Sequence, residues 1–359
     1  MKNIDKMRKN WLYPLLIGPA VLFLFLQMED AGSDHAQPGF QSPLTVGTTG
    51  SVLRLDPAMD QVIPKGALPE IIADGFVWSE GPLWLPDQDI LIFSDVPQNS
   101  IFQWSEKDGL KLYLKPSGYT SEIPRGGETG SNGLLLNERG QLVLCQHGDR
   151  RMALMNAPLS SPEPNFITLA DRWEGKRFNS PNDAVYARNG DLYFTDPAYG
   201  LEKRYQDPAR EMNFTGVFRL GKDGSVSLLT DQLGAPNGIG IMPDGKTLIV
   251  SNSGGGAQSF WMAYEVSRDG SLINERRFCD ASAAADTLSG SPDGLEICPD
   301  GTMFATGPGG VWVFDREGTH LGIVMTGQPT SNCTVDSDQQ YLYMTANMYL
   351  MRIRLNHAD

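Results

Sequence analysis

Residues 178–200, FNSPNDAVYARNGDLYFTDPAYG, carry the pattern that decides the fold. A polar corner at residues 180–183 opens a short apolar run, and the turn Asn189-Gly190-Asp191 separates this run from a second one that ends at Asp196. Two apolar runs joined by an Asn-Gly turn are the strongest short-range signal for a β-hairpin. The stretch therefore predicts an antiparallel pair of strands whose first strand begins at a polar corner.

The same hairpin recurs along the whole chain. Its polar corners are Glu80, Asn132, Asn182, Asn237, Asp293 and Asn332. The corners follow one another at intervals of roughly 50 residues, as the blades of a propeller do. Further β-rich segments after each hairpin complete blades of three or four strands. Corner residues could be simple turn formers, but every hairpin already has its own turn. We therefore predict an all-β fold, a six-bladed β-propeller, with the corners directed at a central channel.

The two ends of the chain differ from the repeats. A basic start followed by an uncharged apolar run from Trp11 to Leu26 is typical of an export signal. We predict a signal peptide or an uncleaved signal-anchor over residues 1–28, a linker over 29–52 and the propeller domain over 53–359. The expected location is outside the cytoplasm, in the periplasm or the extracellular space, with the membrane contacted only through such an anchor.

The net charge of the chain excludes some classes of binding partner. The formal net charge is -14 at pH 7. A strongly acidic body argues against nucleic acid and against anionic membrane surfaces as partners. A small-molecule ligand remains the natural expectation for a propeller channel.

Four cysteines are spaced without a C-x-x-C pair or any zinc pattern. Buried free thiols are favoured, because three of the four cysteines fall in or beside predicted strands. Disulfides between Cys279 and Cys298, or between Cys298 and Cys333, stay open as alternatives for an exported protein.

The channel predicted from the corners would be lined by oxygen atoms. The corner residues supply two carboxylates, from Glu80 and Asp293, and up to four amide oxygens. Such hard ligands select Ca²⁺ or Mg²⁺ over softer metals. Two buried carboxylates without a cation would suffer desolvation and mutual repulsion. A divalent cation in the channel is therefore expected, and a purely structural ion that holds the blades together is the alternative.

Several motifs resemble the gluconolactonase/SMP-30 (regucalcin-like) family, in particular its microbial gluconolactonase branch. The motifs are RLDPAMD, SEGPLW, EGKRFNSPNDAVY, FTDPAYG, PNGIG and SPDGLEI, and the similarity spans residues 53–355. The resemblance implies a propeller with one divalent cation, held by Glu80, Asn182, Asn237 and Asp293. It implies Ca²⁺ foremost, with Mg²⁺, Mn²⁺ or Zn²⁺ as alternatives. Animal members have an arginine at the place of Ser180, so their substrate contacts do not transfer to this chain.

The function implied by the resemblance is the hydrolysis of a sugar-type lactone. The cation would polarise the lactone carbonyl, and Asp293 would be the general base that activates water. Asn132, His147, Asp196 and Tyr199 are the candidates for contacts with substrate hydroxyls, although Asp196-Pro197 could be a structural turn and Tyr199 a packing residue. The charged segment after Tyr199 is expected to be a loop, either over the channel mouth or in solvent.

Two other functions stay open at this stage. An organophosphate or aryl-ester hydrolase would use the same cation to polarise a different ester. A non-catalytic binding propeller would need the ion for structure only. Residue types alone do not separate the first alternative from a lactonase.

Overall fold

The computed structural model describes residues 47–356 and confirms the all-β, six-bladed propeller. Six sheets of four or five strands are present in this part of the chain, together with one two-stranded ribbon. Each innermost strand contacts the innermost strand of the next blade, and the sixth contacts the first, which closes the ring. The predicted turn at Asn189 is also present, since Gly190 has a φ of 85° and its N–H bonds the carbonyl of Ala187.

The first three blades follow the chain directly, from the innermost strand outward. The first blade consists of Ser79–Leu85, Ile90–Asp95, Ser100–Ser105 and Gly109–Leu114. The second consists of Ser131–Leu136, Leu142–Gln146, Arg151–Met155 and Phe166–Ala170. The ribbon Arg172–Trp173 and Lys176–Arg177 leads to the third, which consists of Ala184–Tyr186, Leu192–Asp196, Gly216–Leu220 and Val226–Thr230.

The remaining blades continue the same order, and the last two each take up an extra strand. The fourth blade consists of Pro236–Ile241, Thr247–Ser253, Ser259–Val266 and Leu272–Asp280. The fifth consists of Leu295–Ile297, Met303–Gly307, Gly310–Phe314, His320–Met325 and Ser51–Arg54. The sixth consists of Asn332–Val335, Tyr341–Ala346, Tyr349–Arg354, Glu70–Asp74 and Gly47–Thr48.

Helical structure is confined to four short pieces in the described residues. The α-helical turns are Met59–Val62 and Ser282–Ala285, and the 3₁₀ turns are Arg204–Gln206 and Gly256–Gln258. No helix within residues 47–356 has the length and the apolar content needed to cross a membrane.

The sixth blade joins the two ends of the described chain. Tyr349–Arg354 pairs antiparallel with Glu70–Asp74, so strands from opposite ends of the sequence share one sheet. Closure of this kind leaves no open edge between the last blade and the first. The position of the site described below is therefore fixed by the whole ring.

The predicted linker extends too far toward the propeller. Gly47–Thr48 pairs with Glu70–Asp74, and Ser51–Arg54 pairs with His320–Met325. Residues 47–52 are thus part of the sheets, because their backbone groups complete the outer edges of the fifth and sixth blades. The predicted segment 1–28 and the linker up to residue 46 lie outside the described residues.

Between neighbouring blades the described residues form six apolar clusters. The second strand of each blade is covered on both faces, which explains its nearly continuous apolar sequence. In one cluster the Phe194 ring lies 5.1 Å from Phe178 and 5.6 Å from Phe218, centroid to centroid. Cys145, Cys298 and Cys333 are buried and Cys279 is half-buried, and all four are free thiols.

Candidate active site

A cavity of about 610 Å³, here named the mouth cavity, opens at one end of the channel. Its walls include five of the six predicted corner residues, namely Glu80, Asn132, Asn182, Asn237 and Asp293. The sixth blade contributes Pro329 and Thr330. The four side chains to which the resemblance assigns a cation therefore share one cavity.

Asn332, the sixth corner residue, lies deeper in the channel. It lines a second cavity of about 200 Å³, here named the inner cavity, together with Asp183 and Glu296. All six innermost strands contribute to this inner cavity. Asn332 is thus separated from the mouth cavity, and its Oδ1 accepts a hydrogen bond from the backbone N–H of Cys333 at 2.8 Å.

β-Bulges aim the corner side chains at the mouth cavity. The pairing register shifts between Glu80 and Leu83, and again between Pro236 and Ile239. Bulges of this type redirect a side chain and sharpen the local twist. The residue that follows each of these corners is glycine, because the next blade lies against it. A Cβ on Gly81, which has a φ of 49°, would lie 2.1 Å from the carbonyl oxygen of Asn132.

Hydroxyl groups on the second strands tie the corners of adjacent blades together. Ser94 Oγ donates to the carbonyl of Asn132 at 3.0 Å. Thr195 Oγ1 donates to the carbonyl of Asn237 at 2.7 Å. These buried bonds fix the backbone on which the cavity side chains stand, so the site is preorganised. The recurring Ser or Thr in the second strand is a sequence signal that the corner pattern alone did not include.

Both acidic corners have raised pKa values, and burial is the main cause for each. Burial raises the pKa of Glu80 to about 8, the Gly81 N–H bond opposes this rise, and the charges of Asp183 and Glu128 add to it. Burial, followed by the charge of Glu80, raises the pKa of Asp293 well above its ordinary value. Each charge is therefore unfavourable while the pair has no positive counterpart.

The donor set of the mouth cavity fits a hard divalent cation. Asp293 Oδ1 is buried without a hydrogen-bond partner in the described structure. The Asn237 amide donates to Ser253 Oγ at 3.1 Å through Nδ2, which leaves its oxygen available. No group of three or more His, Cys, Asp or Glu that could hold a metal occurs in residues 47–356. Two carboxylates with amide oxygens form a calcium- or magnesium-type set rather than a zinc site.

Asn132 and Tyr199 occupy the wall of the mouth cavity, as predicted for residues near a substrate. Burial raises the pKa of Tyr199 well above its ordinary value, with smaller contributions from Tyr205 and Asp293. The hydroxyl is therefore a neutral hydrogen-bonding group at any working pH. The Tyr205 ring packs edge-on against Tyr199 at 6.1 Å and fixes its orientation.

Asp196 was predicted to contact substrate, and in the structure its side chain holds a loop of the fold. Its side chain is fully buried and does not line the mouth cavity. Oδ2 accepts from the N–H of Asn179 at 2.8 Å, and Oδ1 accepts from the N–H of Ser180 at 2.7 Å. The carboxylate thereby holds the loop that leads to Asn182.

Asp95 repeats this arrangement in the first blade, where its two oxygens accept from the N–H groups of Val77 and Trp78 at 3.0 and 3.2 Å. The loops before two cation-type corners are thus held by the same device, a carboxylate at the end of the second strand.

His147 also lies behind the cavity wall rather than on it. The side chain is fully buried and is absent from the lining of the mouth cavity. Its Nδ1 lies 3.4 Å from Oε2 of Glu128, which does line the cavity. The prediction that His147 contacts substrate stays a prediction, and the contact present in the structure is with Glu128.

The segment after Tyr199 forms part of the cavity wall. Leu201, Glu202 and Arg204 line the mouth cavity. The loop is held from behind by Arg210, which donates to the carbonyls of Tyr205 at 2.9 Å and Phe214 at 3.2 Å. The segment was expected to lie either over the channel mouth or in solvent, and three of its residues lie at the mouth.

Two further wall residues, Trp78 and Glu128, were not among the predicted site residues. Trp78 Nε1 donates to Glu80 Oε1 at 3.4 Å and thereby helps to orient this carboxylate. Trp78 stands two positions before a corner, a placement that the sequence does show. Glu128 stands in a loop without any repeat, so no sequence pattern indicated it.

The fold and the site together define a class, a six-bladed propeller with an acidic and amide-rich cavity at its channel mouth. A family model described as the SMP-30/gluconolactonase/LRE-like region matches residues 78–348. A gluconolactonase of Zymomonas mobilis subsp. mobilis is 36% identical over 318 residues, which cover 86% of each chain. The chain belongs to the SMP-30/gluconolactonase/LRE-like family.

Solved structures agree with this assignment. A gluconolactonase of Xanthomonas campestris is similar with a TM-score of 0.73 and 29% identity, over 88% of this chain and 98% of that one. A calcium-binding regucalcin of Agrobacterium tumefaciens has a TM-score of 0.60 at 15% identity, over 80% of this chain and 94% of that one. The second similarity supports the fold alone.

Proposed function

We propose that this protein hydrolyses the ring ester of a sugar-type lactone with the help of a divalent cation in the mouth cavity. The observation that carries the proposal is the meeting of Glu80, Asn182, Asn237 and Asp293 in one cavity, with Asp293 Oδ1 lacking a partner. The gluconolactonases similar to this chain support the substrate class.

These four side chains would hold the cation, which we take to be Ca²⁺ foremost. When bound, the cation supplies Lewis-acid polarisation of the ester carbonyl and stabilisation of the oxyanion. The raised pKa values of Glu80 and Asp293 support this assignment, because a positive charge would relieve both the desolvation and the repulsion.

Asp293 is proposed as the group that moves the proton. The oxygen of the attacking water forms a bond to the carbonyl carbon as the water proton passes to the Asp293 carboxylate. The bond between the carbonyl carbon and the ring oxygen then breaks, and this oxygen takes up the proton. The products balance as one open-chain hydroxy acid. Positioning must supply much of the effect, because a carboxylate beside a cation is a weak base.

Asn132 and Tyr199 are proposed to contact the substrate beside the reacting group. Both line the mouth cavity, and both carry neutral hydrogen-bonding groups that match the hydroxyls of a sugar lactone. Their neutral character avoids a further charge next to Glu80 and Asp293. The reacting carbonyl would then lie on the acidic side of the cavity, near Glu80 and Asp293.

The test is hydrolysis of glucono-1,5-lactone at constant pH, with and without chelator. We expect turnover that chelation removes and that added Ca²⁺ restores. Parallel assays with a phosphotriester and an aryl acetate examine the other hydrolase function. Folded protein that takes up Ca²⁺ but turns over none of these esters would identify a non-catalytic propeller and overturn the proposal.

We further propose that the protein is exported, on the basis of the basic and apolar residues 1–28. Cell fractionation and sequencing of the mature N-terminus test this point independently of the activity. Full-length protein in the cytoplasmic fraction would contradict it.

A further inference from the structure

Glu128 is an acidic residue of the mouth cavity that stands apart from the four cation-type side chains. It precedes the innermost strand Ser131–Leu136 of the second blade, and its side chain is 19% exposed. It lines the same cavity as Glu80 and Asp293, and its charge contributes to the raised pKa of both. Its carboxylate is therefore electrostatically part of the site while lying outside the proposed ligand set.

Two basic side chains lie beside this carboxylate, one near each of its oxygens. His147 Nδ1, which is fully buried, lies 3.4 Å from Oε2. Arg204 Nη2, which belongs to the wall loop after Tyr199, lies 3.3 Å from Oε1. Within residues 47–356 neither ring nitrogen of His147 makes a hydrogen bond, so its contact with Glu128 is a close approach only. The position of Glu128 is thus set by one buried and one surface partner.

The backbone that carries Glu128 is anchored as well. Arg125, from the same loop, donates to the carbonyls of Gly200 at 2.8 Å and Gly148 at 3.2 Å. Its guanidinium also stacks over the Tyr119 ring at 5.1 Å. The loop is therefore connected to the segments that carry His147 and Arg204. A carboxylate fixed in this way needs little reorganisation when a ligand arrives.

We propose that Glu128 is a specificity-determining residue that accepts hydrogen bonds from the hydroxyl groups of a polyhydroxylated lactone. The inference rests on the proposed lactonase function and deepens it. A carboxylate offers about four acceptor sites, of which Arg204 uses one through its hydrogen bond to Oε1. The remaining sites are available to the cavity, and a hydroxyl bound there makes a charge-assisted bond.

The consequence is discrimination between lactones with and without hydroxyls. A buried acceptor that is left unpaired by a deoxygenated substrate lowers binding of that substrate far more than a lost apolar contact does. The wild-type protein should therefore prefer glucono-1,5-lactone over δ-valerolactone, which has the same ring and no hydroxyls. His147 is a positioning residue in this scheme, since it acts on substrate only through Glu128.

The experiment compares kcat/KM for both lactones in wild type, Glu128→Gln and Glu128→Asp. Glu122→Gln is the matched control, because Glu122 is an exposed carboxylate in the same loop and does not line the cavity. For glucono-1,5-lactone we expect a fall of about 10- to 100-fold in Glu128→Gln, chiefly in KM. For δ-valerolactone we expect a change below about 3-fold, with the pH profile unchanged.

Each result decides the matter. Equal losses on both lactones, or a missing limb in the pH profile of Glu128→Gln, would identify a catalytic base and overturn the specificity role. Unchanged kinetics on glucono-1,5-lactone would overturn the inference and leave the lactonase function standing. A wild type that is inactive on both lactones would remove the proposed function, and the inference with it. Glu128→Asp keeps the charge and shortens the side chain. An intermediate loss of kcat/KM in this variant supports a hydrogen-bonding role for the carboxylate, even if Glu128→Gln folds poorly.

Discussion

The two cavities of the channel contain similar chemistry and differ in how much of it is already satisfied. In the inner cavity, Asp183 accepts hydrogen bonds from backbone N–H groups and from Asn332. Glu296 accepts from the hydroxyl of Thr334 at 3.0 Å. In the mouth cavity, Asp293 retains an oxygen without any partner in residues 47–356. Carboxylates in a channel therefore do not define a site unless acceptor capacity remains.

The walls of the two cavities also differ in polarity. The inner cavity is enclosed by apolar side chains of the innermost strands, such as Leu83, Leu134 and Ile297. The mouth cavity is surrounded by loops that carry Trp78, Tyr199 and Arg204. Burial raises the pKa of Asp183 and of Glu296 to about 7, so unusual titration occurs in both cavities. What separates them is access, free acceptors and hydroxyl-binding groups.

The largest difference in kcat should appear when one carboxylate in each cavity is replaced by the corresponding amide. Asp293→Asn removes the proposed base, so kcat for glucono-1,5-lactone should fall about 10²- to 10⁴-fold. Glu296→Gln, the matched change in the inner cavity, should alter kcat by less than about 3-fold, because Glu296 lies below the site. Steady-state kinetics at constant pH, with circular dichroism of both variants, measure this difference.

Comparable losses in the two variants would break the distinction between the cavities. Activity that survives Asp293→Asn would remove the base assignment, while the cation assignment could still be examined through bound Ca²⁺.

The second-largest difference between the cavities should appear in how the free energy of unfolding depends on pH. In chelated protein, Glu80 ionises near 8 when folded and near 4.5 when unfolded. Between these values the unfolded chain has released a proton that the folded chain retains, so the free energy of unfolding falls as pH rises from about 4.5 to 8. Asp293 adds a shift of the same direction.

Added Ca²⁺ should flatten this decline, since it favours the ionised pair. We expect Tm of chelated protein at pH 8 to lie at least ~5 °C below its value with Ca²⁺, and the gap to shrink at pH 5. Thermal unfolding of wild type and Glu80→Gln measures this. Asp183 and Glu296 should contribute a decline that Ca²⁺ does not alter, and a gap of equal size at both pH values would contradict the assignment to Glu80 and Asp293.

The sequence predicts the ring of blades well because a propeller repeats one local unit. Each hairpin shows its corner, its turn and its doubly covered second strand, so five corners at the mouth cavity follow from spacing alone. The closing pair Glu70–Asp74 and Tyr349–Arg354 could not be predicted in this way. Pairing between distant segments has no local signal, and the strand residues up to 52 were placed in a linker for the same reason.

Site residues were predictable where the repeat places them and unpredictable elsewhere. Glu128 belongs to a loop that occurs once, and only the fold brings it beside His147 and Arg204. His147 and Asp196 stand at the ends of second strands and were predicted to contact substrate. Both side chains are buried and do not line the mouth cavity. The direction in which a side chain points at the end of a strand depends on twist and bulges that the sequence does not display.

The smallest functional effect is expected from Asp196→Asn, although this carboxylate is fully buried close to Asn182. An asparagine oxygen can replace only one acceptor, and its amide would face a backbone N–H. The free energy of unfolding should therefore fall by about 1–3 kcal/mol, whereas kcat/KM per folded molecule should change by less than about 3-fold.

Asp95→Asn is the matched variant in the first blade, since Asp95 also accepts two backbone N–H bonds. Chemical denaturation and lactone kinetics of both variants measure the comparison. If Asp196→Asn lost activity while it kept wild-type stability, the side chain would belong to the substrate site after all, and the original prediction would be restored. Equal destabilisation in the two blades would establish the carboxylate at the end of the second strand as a repeated structural element, which supports the mouth cavity without taking part in its chemistry.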